Sequence, residues 1–260
     1  MSPSWLDRVT LLVHPHQVVL QRRPWRGTGR CRTIAVDPAA ATAAPWQPAL
    51  AAVDAALTAD GRRGGSLAIV VADHFVRYAL VPWSPDLVGE KARRAMALAL
   101  LRHNLGDQAG RLEIALDRPV FGANGVAAGI DRDLLDALRA RARAARLRIA
   151  SLQPRLISEL AAGRRRLTGT DGWFACVDQE RVSLLAFRAG AIASLRNHRL
   201  ATADPDALGR ELAGLLAASG PAPAGHRLWL CSGGPRLPDR LPGDWALSPW
   251  SSPLTGAAHA

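Results

Sequence analysis

The chain has 260 residues, a formal net charge of +11, 48% hydrophobic residues and only 21% charged ones. This balance excludes a disordered chain, and the length suffices for one large domain or two lobes around a substantial core. No window offers about 18 uninterrupted apolar residues, and the N-terminus lacks a charged stretch leading into an apolar one, so a soluble cytoplasmic protein without a membrane span is expected. Lys91 is the only lysine. An arginine bias of this kind is what a GC-rich genome produces, which weakens the charge as a signal, although a basic surface favours anionic neighbours such as phospholipid headgroups or nucleic acid. Cys31, Cys176 and Cys231 are far apart without CxxC spacing and read as buried reduced thiols.

In chain order, Val9 to Val13 and Val18 to Gln21 predict a strand pair around His14-Pro15-His16, with Cys31 to Val36 as a third strand. A Pro- and Ala-rich connection leads to a helix from Trp46 to Leu57, on which Leu50, Val53 and Leu57 recur at helical spacing; Gly61 to Gly65 ends it. Leu67 to Pro82 reads as a hairpin about Ala72-Asp73-His74. Ser84-Pro85-Asp86 supplies an N-cap serine, a proline and an acidic first turn for a long helix whose face carries Met96, Leu100 and His103. Strands are predicted over 111–116 and 125–130, and Asp131 caps a helix reaching Arg146. The arginines at 139, 141, 143 and 146 have no aromatic residue interleaved, so a solvated helix face is favoured over a nucleic-acid surface. A strand over 147–152 precedes a helix from Pro154 to Arg166.

Trp173 to Leu200 then reads as three short strands around Asp178-Gln179-Glu180-Arg181 and Arg188-Ala189-Gly190. A helix from Asp204-Pro205 to Ala218, a strand from His226 to Cys231, the turn Ser232-Gly233-Gly234-Pro235, a short edge strand within 244–250 and a frayed tail over 251–260 complete the chain. Strand, short turn, strand and helix recur three times, the outline of a duplicated α/β architecture.

The familiar phosphate, zinc and serine-nucleophile signatures are absent: there is no GxxxxGK[ST], HExxH or GxSxG. His14 and His16 flank a proline with no third ligand nearby in sequence, which favours a solvated turn and no metal site. His103 and His198 read as partly buried residues, and Trp83, Trp173, Trp229 and Trp245 as core packing.

LAIVVADHFVRYALVPW (67–83), GVAAGIDRDLLDALRARARAARLRIASLQPRLISEL (125–160), the meander from Trp173 to Leu200 and LWLCSGG (228–234) carry a resemblance. In this order they resemble the type IV pilus assembly protein PilM and the cytoplasmic domain of the type II secretion protein GspL. The resemblance spans roughly four-fifths of the chain by ordered pattern, with no single motif diagnostic. It implies an actin-like ATPase (ribonuclease H-like) fold: a first lobe over 1–151 with an inserted subdomain near 73–130, a second lobe over 152–250, and mixed sheets in both.

Nucleotide-binding relatives cradle phosphates with two Asp-x-Gly turns, in which glycine lets backbone N–H groups come close. Here the first turn is His14-Pro15-His16-Gln17, where Pro15 has no N–H to donate. In the second, Asp178 remains, but Gln179 and Glu180 stand where glycine is expected. Ser232, Gly233 and Gly234 survive, but two glycines after a strand are more often just a turn. These positions are therefore expected to be vestigial, with no cofactor, no catalytic residue and no enzymatic activity. The resemblance implies a cytoplasmic scaffold of a pilus or secretion platform, recruited to the inner membrane by a short N-terminal peptide of a single-pass partner that fits a groove on the first lobe. It also implies a place beside the assembly motor ATPase and weak contact with anionic lipid. The end of the chain at Ala260, without a membrane helix, favours the PilM arrangement. An active ATPase of the same fold and a nucleic-acid-binding module are the alternatives.

Overall fold

The structure, a computed structural model, describes residues 8–23, 29–41, 44–61, 64–167, 169–202, 204–219, 227–233 and 235–250. The tail expected over 251–260, and Gly234 and His226, lie outside them. The chain opens with β1 (Arg8–Val13), β2 (Gln17–Arg23), β3 (Arg30–Ala35), α1 (Gln47–Asp60) and β4 (Ser66–Val71). Then come β5 (Val76–Val81), α2 (Gly89–Leu105), β6 (Leu112–Leu116), β7 (Gly125–Asp131), α3 (Arg132–Ala144), β8 (Arg148–Pro154) and α4 (Arg155–Leu167). The last third holds β9 (Gly172–Val177), β10 (Arg181–Arg188), β11 (Ala191–Arg199), α5 (Pro205–Ala218), β12 (Arg227–Ser232) and β13 (Ala246–Pro249).

Two five-stranded mixed sheets result, in the orders β3-β2-β1-β4-β8 and β11-β10-β9-β12-β13, with a three-stranded sheet, β5-β7-β6, built from chain lying between β4 and β8. In each large sheet an antiparallel meander is continued by strands parallel to its first member: β4 runs parallel to β1, and β12 to β9. The two sheets thus repeat one plan, in two copies where the sequence pattern suggests three, because 67–82 contributes its two strands to different sheets. Strand β9 shows how the sheets bury both faces. Phe174 and Cys176 join a core containing Leu11, Ile69 and Leu156, whereas Trp173, Ala175 and Val177 pack with Leu208, Leu212 and Leu216 of α5. The period of two along a strand sends alternate side chains to opposite cores.

Three local expectations are corrected. Strands β4 and β5 do not form a hairpin: β4 is hydrogen-bonded on both edges, to β1 and β8, so β5 leaves through a 3-10 turn at Asp73–Phe75 and pairs with β7 instead. Helix α2 begins at Gly89 rather than at Ser84, because the Ser84 hydroxyl and carbonyl accept the amides of Asp86 and Leu87 and close a separate turn. Its buried residues are Ala97 and Leu101, and His103 is exposed. Trp83 is 41% exposed and stacks edge-on with Phe121, outside any core.

Trp250, the last of the described residues, is pinned to α4. The buried Trp250 ring meets Phe174 at 4.8 Å between centroids and lies over Gly163, where a Cβ would come within 1.9 Å of the indole. Gly163→Ala gains helix propensity worth about 1 kcal/mol, but forces Trp250 or the helix to move. Overpacking costs about 1 to 3 kcal/mol and prevails. The expected outcome is a lower urea midpoint at unchanged slope; a midpoint at or above that of the parent would contradict this packing.

Candidate functional site

The carboxyl ends of β1, β4 and β9 bring three turns together. The first holds His14, which is 1% exposed and not a solvated turn residue. Its Nδ1 accepts the His16 amide at 3.1 Å, which leaves the ring proton on Nε2, and Nε2 donates to Asp178 Oδ1 at 2.8 Å. The expectation that no third candidate ligand lies near this turn fails as well. His74, from the 3-10 turn after β4, places its ring 5.1 Å from that of His14 and Nδ1 3.8 Å from Asp178 Oδ2. Residues far apart in sequence thus meet at one carboxylate.

Asp178 is almost fully buried, and burial alone would push its pKa up. The hydrogen bond from His14 and the charge of the Arg155 guanidinium prevail and hold it at about 2. The Gln179 amide adds a hydrogen bond to Oδ1 at 3.1 Å. Burial works the other way on His74, lowering its pKa to about 4 although Asp178 pulls it upward. Asp73, one residue before His74, is buried beneath the cluster. Burial raises its pKa to about 6, against the opposing effect of the Tyr78 hydroxyl at 2.6 Å and the Leu156 amide at 3.1 Å.

Arg155 opens α4 and closes the third side. Its Nη2 donates to the Ser232 carbonyl at 2.6 Å, and Nη1 lies 3.6 Å from Asp178 Oδ2. A Cβ on Gly233 would overlap Nη1, so this glycine serves to admit the guanidinium. Glu159, one helical turn on and fully buried, faces Arg155 Nε at 3.9 Å. At the rim, His16 Nε2 stands 3.5 Å from Glu180 Oε1, whose partner oxygen is 3.7 Å from Arg199.

The positions singled out in the sequence, His14, Pro15, Asp178, Gln179, Glu180, Ser232 and Gly233, therefore converge on one cleft between the two large sheets. The sequence reading missed Asp73, His74, Arg155 and Glu159. One signal was available: Arg155 and Glu159, spaced i and i+4, flank Leu156 on an otherwise apolar helix face, where a charged pair has to be buried together.

On the far side of His74, a groove of about 480 Å³ separates the turn that leads into α1 from the inserted sheet, lined by Trp46, Phe75, Arg77, Gln108, Arg111 and Asp131 among others. The arginine face of α3 is partly neutralised: Arg139 pairs with Glu113 and Asp136 at 2.8 and 3.0 Å, and Arg141 with Asp54 at 2.9 Å.

No protein-family model and no curated protein matches the chain. Solved structures do match. A Bacteroides thetaiotaomicron protein of unknown function described as having an actin-like ATPase fold aligns with TM-score 0.59 at 11% identity, covering 91% of this chain and 84% of that one. The chain has the actin-like ATPase fold. Its two mixed sheets correspond to the two lobes of that fold. A PilM–PilN type IV pilus biogenesis complex aligns with TM-score 0.59 at 15% identity (89% and 82% covered). The cytoplasmic domain of EpsL, an inner-membrane component of the Vibrio cholerae type II secretion system, aligns with TM-score 0.55 at 14% identity (94% and 90% covered). Among the described residues no helix is long and apolar enough to cross a membrane.

Proposed function

We propose that this actin-like protein is a non-catalytic scaffold of a type IV pilus or type II secretion assembly platform. The observation that carries the reading is the occupation of the interlobe cleft by the chain's own side chains. The Arg155 guanidinium lies on Gly233, and His14 is bonded to Asp178 across the two hairpin turns. A triphosphate would have to displace a buried guanidinium and would find Pro15 in place of a backbone donor. Charge-assisted hydrogen bonds are worth about 1.5 to 3 kcal/mol each, and micromolar affinity needs about 8 kcal/mol in total, so losing several removes it. Calorimetric titration with Mg-ATP should give no saturable isotherm. Replacing Gln179 and Glu180 by glycine should not restore one, whereas low-micromolar binding by the parent sinks the reading.

The first lobe, expected over 1–151 with its insertion near 73–130, supplies the docking surface; its sheet continues through β8 to Pro154, and the second lobe follows to residue 250. The occupant of the groove beside Trp46 and Phe75 is the short N-terminal cytoplasmic peptide of a single-pass inner-membrane partner. The likeness to a PilM–PilN complex and to the EpsL cytoplasmic domain supports this choice. The protein is then cytoplasmic and held at the inner membrane beside the assembly motor ATPase. Arginines near the surface add about 1 kcal/mol each toward anionic headgroups, with no specific nucleic-acid binding. Gln108 is exposed on the groove wall. Gln108→Trp should fill the groove, leave the thermal midpoint unchanged and move the protein from the membrane fraction to the cytosol in cells. Retention on membranes at moderate salt, in this variant or in cells lacking the partner, would count against recruitment by a peptide.

A further inference from the structure

The geometry points to a site for one divalent transition-metal ion, zinc by the chemistry of its donors, between His14, His74 and Asp178. These side chains come from three separate turns, yet one donor atom of each lies within 4.8 Å of the others. Two imidazoles on a tetrahedral ion, with metal–nitrogen bonds of about 2.0 to 2.1 Å, place their ring centroids about 5 Å apart. The His14 and His74 rings are 5.1 Å apart and nearly perpendicular.

The second line of evidence is the state of the donors. Both nitrogens of His74 and Oδ2 of Asp178 are buried without a hydrogen-bond partner among the described residues. Buried polar groups are nearly always satisfied, and a cation coordinated by His74 and Oδ2 would satisfy the carboxylate oxygen and one of the two ring nitrogens. A third imidazole, His16, stands 5.5 Å from His14 and 6.4 Å from His74 on the more open side, where a fourth ligand or water would enter. Two neutral imidazoles with a single carboxylate suit zinc or cobalt; magnesium and calcium call for oxygen ligands. His74 also lines the adjacent groove, which gives an ion a route in.

Binding has two costs within the cluster. His14 must coordinate through Nε2, so its ring takes the other neutral tautomer, its 2.8 Å hydrogen bond to Asp178 Oδ1 is given up and the 3.1 Å contact from the His16 amide opens. The Arg155 guanidinium, 3.6 Å from Asp178 Oδ2, remains as a competing cation. Both weaken the affinity below that of a dedicated structural zinc site. An ion held here would tie the first lobe to the second through Asp178.

The test uses the untagged full chain stripped with EDTA. Cobalt(II) titration should produce the intense visible absorption of tetrahedral cobalt, saturating at one equivalent and displaced by zinc. Zinc at about 100 times its dissociation constant should raise the thermal midpoint by about 5 to 10 °C. His74→Ala should weaken binding at least tenfold; should it not fold, His74→Gln, which keeps the bulk, carries the comparison. His103→Ala, on the exposed face of α2, should bind like the parent. Absorption no different from aqueous cobalt with no saturation would overturn the site, and so would undiminished binding in the folded His74 variant.

Discussion

Asp178→Ala is expected to lower the unfolding free energy by about 3 to 5 kcal/mol at pH 7, the range for breaking a buried ion pair from one side. The carboxylate is the point where the lobes meet. It accepts from His14 of the first lobe, faces His74, and stands 3.6 Å from an Arg155 guanidinium that is itself 1% exposed. Its removal leaves Arg155 with Glu159 as the nearest remaining counter-charge, at 3.9 Å. Asp178→Asn separates charge from hydrogen bonding: an amide oxygen still accepts from His14 Nε2 and the Gln179 amide but carries no charge. The Asn variant should therefore recover only about 0.5 to 1.5 kcal/mol relative to Ala. A double-mutant cycle with Arg155→Gln should return a coupling of about 1 to 3 kcal/mol. Urea titrations of the five proteins, the parent, both Asp178 variants, Arg155→Gln and the double variant, measure all three quantities. A loss under about 1 kcal/mol for both Asp178 variants would show that the lobes are held by apolar packing alone.

The repeated plan of the lobes was legible because each meander is an alternating apolar run interrupted by a short polar turn. Helix α5 was legible because Asp204 is a true N-cap, accepting the Ala207 amide at 2.9 Å, with Pro205 at the first helical position. The same signals misled at Ser84-Pro85-Asp86. There the serine hydroxyl also accepts an amide, but Gly89, at φ +83°, lies between that turn and the body of α2, in a conformation that a continuous helix does not adopt. The apparent hairpin at 67–82 failed for a non-local reason. A strand's partner depends on which edges are free, and both edges of β4 are taken by strands far away in the sequence.

The site was legible only as separate turns. His14 and Asp178 are 164 positions apart, and nothing local marks them as partners. A histidine beside proline between two strands looks solvated. It becomes buried because β1 and β9 are central strands of facing sheets, a property of the tertiary arrangement. Arg155 was invisible for a related reason: at the first position of a helix an arginine normally reaches solvent, and only the close approach of Gly233 gives it a buried seat. Trp83 went astray in the opposite sense. A large ring at a strand end usually packs inward, but here it stacks on Phe121 at the outer end of the inserted sheet.

The metal-free protein should show nearly level stability between pH 7 and pH 4, as the sum of two opposed titrations that single substitutions uncover. Asp73 has its pKa raised by burial from 3.8 to about 6. Above pH 6 the folded state holds an ionised carboxylate at a cost. As pH falls through 6 the folded state takes up a proton that the unfolded state does not accept until about 3.8, so this group adds stability on acidification, about 3 kcal/mol over the window. His74 has its pKa lowered by burial from 6.5 to about 4. As pH falls through 6.5 the unfolded state binds a proton that the folded state refuses until about 4, so this group removes about 2 to 3 kcal/mol over nearly the same range. Below pH 4 the third group acts alone. Asp178, held at about 2 against an ordinary 3.8, contributes about 2 kcal/mol above pH 4 that is lost as the pH falls toward 2. Acid unfolding should therefore set in steeply below pH 4. Asp73→Asn keeps an oxygen for the Tyr78 hydroxyl and the Leu156 amide but does not titrate, and its stability should fall by about 2 to 3 kcal/mol from pH 7 to pH 4. His74→Gln should instead gain about 3 kcal/mol over that interval. Urea midpoints taken in EDTA at half-unit steps separate the cases. Parallel curves for the parent and both variants would mean that neither group changes its proton affinity on folding.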